Sequence, residues 1–154
     1  MSSQEKRLSD YGKNQGEAWI LPFNAMTLNE DEIFVLDRLP PPSKHSFSCA
    51  GIVINVSLVS DQGGTTCALW SDIGEFPYTA DCAKARAEGI AVLHGTRKLP
   101  SVRFCVAKKQ RVCAFYESRV AGHVTLDALI VEILHFLQQS LPFVYLLKER
   151  VCTR

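Results

Sequence analysis

The chain has 154 residues, of which 47% are hydrophobic and 21% are charged, and its formal net charge is +1. This size and composition are typical of one globular domain with a sizeable core. The near-neutral charge argues against a strong attraction to nucleic acid or to anionic lipid. We therefore expect a protein whose partners are neither nucleic acids nor membranes.

The N-terminal segment MSSQEKRLSDYGKNQGE is polar throughout. It lacks the apolar centre of a signal peptide, and the chain has no run of 18 apolar residues that would predict a transmembrane helix. We expect residues 1–17 to be a disordered tail and residues 18–154 to be a single domain. The expected location is the cytoplasm.

The six cysteines would suggest a disulfide framework in a short exported chain. Because no export signal is present, reduced thiols are expected instead. None of the cysteines forms a C-x-x-C motif, and the four histidines lie outside zinc-finger spacing. The sequence therefore predicts neither a metal site nor a cofactor.

Two interpretations are open for TLNEDEIFVLDRLPPP. A short helix would begin at Asn29 as its N-cap, with acidic residues in its first turn and the prolines as its end. The alternative is a strand, EIFVLDRL. Further on, GIVINVSLV alternates with a period of two, and TTCALWSDI resumes an extended pattern after the turn SDQGG. These two segments predict a β-hairpin.

The segment YTADCAKARAEGIAVLHGT predicts a helix, with Thr79 as its N-cap and Gly95 as its stop signal. Gly89 in the middle of this helix either weakens it or indicates a close contact.

A second, longer helix is expected to begin after Thr125, and Pro142 is expected to break or restart it. Its apolar arc spans ~160°, wider than the ~100° that one core contact needs. The surplus is expected to contact a partner or a second copy of the chain. Glu132, His135, Gln138 and Gln139 are predicted on the opposite, polar side. The predicted interface residues are Leu126, Leu129, Ile130, Ile133 and Leu137, which share the apolar side with Leu134 and Phe136.

Between these helices, SVRFCVAKKQRVCAFYESR predicts a β-hairpin with two cysteines. A three-residue loop at 108–110 would place Cys105 directly opposite Cys113, whereas a two-residue loop would place them on opposite faces. The three-residue loop is favoured because it collects Val102, Phe104, Val106, Val112, Ala114 and Tyr116 on one face. Two reduced thiols are expected here rather than a redox pair.

The order of these elements predicts an α+β fold, with an antiparallel sheet of about five strands packed against two or three helices. The region AVLHGTRKLPSVRFCVAKKQRVCAFYESRVAGHVTLDALIVEILHFLQQS resembles, in order and spacing, type III secretion chaperones and the related YbjN-type bacterial proteins. The resemblance extends over residues 52–151. It implies a homodimer without catalytic residues, whose helix and sheet surfaces hold a partner polypeptide in extended form.

The sequence thus favours a non-enzymatic, chaperone-like binding module that forms a homodimer and binds a secreted or regulatory polypeptide. The alternative is a small cysteine-dependent enzyme or a small-molecule-binding protein. In that interpretation Cys82 lies at a helix start, where the helix dipole favours the thiolate, and His94 or His123 is the base. A third interpretation, nucleic-acid binding through Lys108, Lys109 and Arg111, is less favoured because such clusters at a hairpin tip are usually solvated turns.

Overall fold

The computed structural model describes residues 26–36 and 45–151. The predicted tail, residues 1–17, lies outside the described residues. In chain order, the described elements are β1 (Met26–Leu28), β2 (Phe34–Leu36), β3 (His45–Cys49), β4 (Ile52–Asp61), β5 (Gly64–Glu75), α1 (Thr79–Thr96), β6 (Val102–Ala107), a 3-10 turn (Lys108–Gln110), β7 (Arg111–Val120) and α2 (Leu126–Lys148).

The described strands form one sheet in the order β1-β2-β6-β7-β5-β4-β3. Neighbouring strands are antiparallel except β2 and β6, which are parallel. The predicted α+β class is confirmed. The predicted sheet of about five antiparallel strands is corrected to a mixed sheet of seven, because the short strands β1, β2 and β3 extend it at its two edges.

The segment around Asn29 is a turn between β1 and β2, not a short helix. The Asn29 side-chain oxygen accepts a hydrogen bond from the Ile33 N–H at 3.0 Å. The Asn29 N–H in turn donates to the Ile33 carbonyl at 3.0 Å. Glu32 has φ of 58°, a left-handed conformation that a helix does not contain. The alternative prediction of a strand is confirmed for Phe34–Leu36, and its residues 37–39 lie outside the described residues.

One face of the sheet packs against both helices and forms the main core. Successive side chains of a strand point to opposite faces, so every second strand residue enters this core. All six side chains that were predicted to share one face of the β6–β7 hairpin belong to the main core. Members of the main core include Ile54, Leu69, Phe76, Leu93, Val102, Phe104, Val106, Val112, Ala114, Tyr116, Phe136, Leu137, Val144 and Leu147.

The opposite face of the sheet carries a smaller apolar group, which we call the second-face cluster. Trp70 and Phe115 are partners across β5 and β7, and their rings stack with centroids 6.1 Å apart and planes at 18°. The cluster consists of Met26, Leu36, Trp70, Cys105, Ala107, Cys113 and Phe115. Both faces of the sheet therefore bury apolar side chains.

The β6–β7 hairpin has the three-residue loop that the sequence favoured. Ala107 pairs with Arg111, and Cys105 lies directly opposite Cys113. Lys109 and Gln110 have φ of 59° and 56°, left-handed conformations that reverse the chain within this short loop. Both cysteines are free thiols.

Helix α2 continues through Pro142 instead of breaking there. Proline has no N–H to donate to the carbonyl four residues earlier, that of Gln138. Both Pro142 and Gln138 are exposed. The carbonyl that loses its helical partner is therefore on the solvent side, where the loss costs least.

Gly89 marks a close contact between α1 and Phe76. A Cβ atom at Gly89 would lie 2.3 Å from Cε2 of the Phe76 ring. Phe76 is buried in the main core, and the Arg86 guanidinium lies 4.9 Å from the ring centroid. Of the two explanations for this glycine, the structure supports the close contact.

Gly89→Ala should lower the free energy of unfolding by about 1–3 kcal/mol, because overpacking against Phe76 exceeds the gain in helix propensity. Gly95→Ala is the matched control, since its Cβ would lie 3.6 Å from the Phe143 ring, an ordinary contact. The control should be neutral or stabilised by up to about 1 kcal/mol. Urea unfolding measures both variants, and equal effects would contradict the contact with Phe76.

Candidate functional site

Helix α2 is fixed to the sheet by polar contacts as well as by apolar packing. The Tyr116 hydroxyl donates a hydrogen bond to the Glu132 carboxylate. The Gln139 side-chain oxygen accepts hydrogen bonds from the N–H groups of Ser101 and Val102, at 3.1 and 3.2 Å. Glu132 and Gln139 were predicted on the polar side of the helix, away from its core contact. The structure instead directs both toward the sheet.

The contact with Glu132 changes the acidity of two neighbouring groups. Burial, followed by the hydrogen bond to Glu132 and the charge of Glu132, raises the pKa of Tyr116 to about 12. Burial and the charge of Glu132 raise the pKa of the Cys67 thiol to about 12 as well. Tyr116 is therefore protonated at neutral pH and remains a hydrogen-bond donor to Glu132.

The side of α2 that points away from the sheet is also apolar. Leu126 is 73% exposed, Leu134 is 57% exposed and Tyr145 is 51% exposed. We call this surface the outer face of α2, and its apolar members are Leu126, Ile130, Val131, Leu134, Tyr145 and Leu146. The exposed His135, Gln138 and Pro142 lie among them. A surface helix of a soluble domain normally presents charged and polar residues to solvent on this side.

The outer face also lacks the charges that would keep it solvated. Between Asp127 in the first turn and Lys148 in the last, Glu132 is the one Asp, Glu, Lys or Arg of the helix. The Glu132 carboxylate bonds to Tyr116 of the sheet. Solvent and any partner therefore meet an almost uncharged surface along most of α2.

The five residues predicted for an interface are divided between the two sides of α2. Leu126 and Ile130 are exposed on the outer face. Leu129 and Ile133 are half-buried against the main core, and Leu137 is buried within it. Tyr145 and Leu146 were not predicted for the interface, because they follow Pro142, where the helix was expected to break or restart. An apolar arc wider than one core contact was the available signal for an outer face.

Cys82, the nucleophile of the alternative interpretation, is exposed and caps the main part of α1. Its φ and ψ are −157° and 91°, and its sulfur accepts a hydrogen bond from the Ala85 N–H at 3.4 Å. His94 lies at the other end of α1, about 18 Å away at 1.5 Å per helical residue. There its Nε2 donates to the Asp31 carbonyl at 2.7 Å. The structure therefore does not bring Cys82 and His94 together.

The remaining sequence candidates are also dispersed. His123 lies in the turn before α2, and Lys108 and Lys109 are exposed at the hairpin tip. Arg111 is bonded to the Asp72 carboxylate, with Nε 3.0 Å from the oxygen. Within residues 26–36 and 45–151, no group of three or more His, Cys, Asp or Glu residues is placed to hold a metal ion.

Helix α2 is also long and apolar enough to span a bilayer, by length and composition alone. Of its most apolar 18-residue window, 22% is buried inside the protein. Core helices of soluble proteins can meet the same two criteria, but they are mostly buried. The low buried share therefore agrees with the exposure of the outer face.

Comparisons with known proteins found no matching family model, no similar curated protein and no similar solved structure. The class of protein is therefore defined by its fold. The described part of the chain is an α+β protein with a mixed seven-stranded sheet. Two helices cover one face of this sheet, and the longer helix has a second apolar face that is exposed.

Tyr116→Phe should lower the free energy of unfolding at neutral pH by about 1–3 kcal/mol, because Glu132 loses its buried donor. Because folding raises the pKa of Tyr116, protonated Tyr116 stabilises the folded state fully below the unfolded pKa of about 10. This stabilisation is lost as the pH rises through the folded pKa of about 12. The stability difference between the natural chain and this variant should therefore shrink between those two pH values.

Urea unfolding at several alkaline pH values measures this difference. Tyr78→Phe is the matched control, since the Tyr78 side chain is 48% exposed. The control should match the natural chain at each pH. A Tyr116→Phe deficit that stays constant through the alkaline range would contradict the coupling to Glu132.

Proposed function

We propose that this protein is a non-enzymatic binding module that acts as a homodimer through the outer face of α2. The observation that carries the proposal is the set of six large apolar side chains exposed on one almost uncharged helix face. Monomeric soluble proteins rarely expose large contiguous apolar patches, and such patches commonly mark interaction sites.

The area of the outer face suits a second copy of the chain. From their exposures, the six side chains present roughly 600 Å² of surface, at the upper end of the ~300–600 Å² found for the largest patch of a typical monomer. Two such faces together would bury at most roughly 1,200 Å², which is the lower limit for a stable specific interface. A two-fold dimer uses the same patch twice, so the chain supplies both halves.

The charges at the ends of α2 favour an antiparallel arrangement of the two helices. Asp127 lies in the first turn and Lys148 in the last turn. In an antiparallel pair, each acidic end lies beside the basic end of the other copy, and the helix dipoles oppose one another.

The kind of partner is proposed from the resemblance to type III secretion chaperones and YbjN-type proteins. The element order that supports it is a helix, a hairpin and a long helix capped by Thr125, whose side chain accepts a hydrogen bond from the Ala128 N–H at 3.2 Å. We infer a cytoplasmic dimer that holds a secreted or regulatory polypeptide in extended form on its remaining helix and sheet surfaces.

Light scattering of the purified chain should give a mass close to twice 17.1 kDa. Leu134→Glu and Ile130→Glu should each convert the dimer into a folded monomer, because a charge would be buried in an apolar interface. Leu134 is the more exposed of the two positions, so its variant should perturb the monomer least.

Ala87→Glu is the matched control, because it adds the same charge at an exposed position of α1. It should remain a dimer with an unchanged circular dichroism spectrum. A natural chain that is monomeric at all accessible concentrations would overturn the proposal. So would binding to vesicles that is lost in Leu134→Glu while the mass stays that of one chain, since the outer face would then contact lipid.

A further inference from the structure

Cys105 and Cys113 are placed as a disulfide requires. They are direct partners in the β6–β7 register, and both belong to the second-face cluster. Directly opposed residues of antiparallel strands have Cα atoms about 4.5–5.5 Å apart. Disulfides span Cα distances of about 4.4–6.8 Å, so the bond could form without a change in strand register.

The same two thiols are sealed from solvent in the structure. Each is 0% exposed. Burial raises the pKa of Cys105, and burial together with the nearby Cys105 raises the pKa of Cys113. Because the thiolate is the form that attacks a disulfide, neither thiol reacts while it is covered.

The β1–β2 hairpin, residues 26–36, contributes to this cover, and we call it the flap. Met26 and Leu36 of the flap pack in the same cluster as the two cysteines. Among the described residues, the flap pairs with the sheet at Val35 with Val106 and at Leu36 with Ala107. The two short strands of the flap lie at one edge of the sheet. Elements at an edge can open at a lower free energy than the core of a protein.

Two exposed contacts hold the turn of the flap against the end of α1, and we call them the latch. The His94 Nε2 donates to the Asp31 carbonyl at 2.7 Å. The Arg97 Nη1 donates to the Glu32 carboxylate at 2.8 Å. Exposed contacts of this kind are weak, so the latch can release while β4–β7 stay paired. Opening of the flap also withdraws its residue Ile33 from the main core.

We propose that Cys105 and Cys113 are a disulfide-forming pair whose oxidation is controlled by opening of the flap. The oxidant is a small-molecule disulfide such as oxidised glutathione. One thiolate attacks it, which forms a mixed disulfide and releases one small thiol. The second thiolate then displaces the other small thiol, so two electrons pass to the oxidant and the two protein thiols lose their protons. This inference does not depend on the proposed dimer.

The test is incubation of the natural chain with excess oxidised glutathione in native buffer, followed by alkylation, trypsin digestion and mass spectrometry. Trypsin cuts between the two cysteines, so the bond appears as FCVAK joined to VCAFYESR. The linked pair should accumulate in the natural chain and be absent from Cys113→Ser. The double variant His94→Ala, Arg97→Ala removes the latch and should form the link about 3- to 10-fold faster.

Lys98→Ala is the matched control, because Lys98 is an exposed neighbour outside the latch, and its rate should equal that of the natural chain. Urea unfolding and circular dichroism establish that the latch variant keeps its fold. Linkage at the same rate with and without the latch would overturn control by the flap. A chain that links only at urea concentrations that unfold it, or that carries single glutathione adducts without the link, would overturn the pair itself.

Discussion

The packing of α2 against the sheet is the contact on which the other features of this structure depend. Apolar packing alone would leave the rotation of this helix poorly defined, because its outer face is apolar too and hydrophobic contact is non-directional. The hydrogen bonds of Glu132 with Tyr116 and of Gln139 with the start of β6 are directional. They fix which side of α2 meets the sheet, and therefore which leucines meet solvent.

The parts of the fold that the sequence predicted are those controlled by local periodicity. The alternation in GIVINVSLV and the length of the polar interruption AKKQR are properties of neighbouring residues, and they predicted the β4–β5 hairpin and the β6–β7 register correctly. The cap at Thr125 is equally local, since its acceptor atom and its donor are three residues apart. None of these features needs knowledge of a distant partner.

The parts that were missed depend on contacts between distant segments. The parallel pairing of β2 with β6 joins Val35 to Val106, and no local sequence pattern predicts it. Glu132 and Gln139 looked solvent-facing because their partners, Tyr116 and the N–H groups at the start of β6, lie far away in sequence. Pro142 was expected to end α2, yet its position on the exposed side lets the helix continue. Of the five residues predicted for the interface, Leu126 and Ile130 are exposed, and the interface itself stays a prediction.

The two proposed properties belong to opposite sides of the sheet. The outer face belongs to α2, which packs on the main core, whereas Cys105 and Cys113 lie in the second-face cluster. The proposed dimer uses α2, whereas the flap and its latch residues His94 and Arg97 lie on other elements or beyond the end of α1. Oxidation of the cysteine pair joins two strands that are already paired in register, so it requires no change in the packing of α2 against the sheet. The proposed dimer interface and the proposed cysteine pair therefore use different elements of the fold, so a substitution in one need not alter the other.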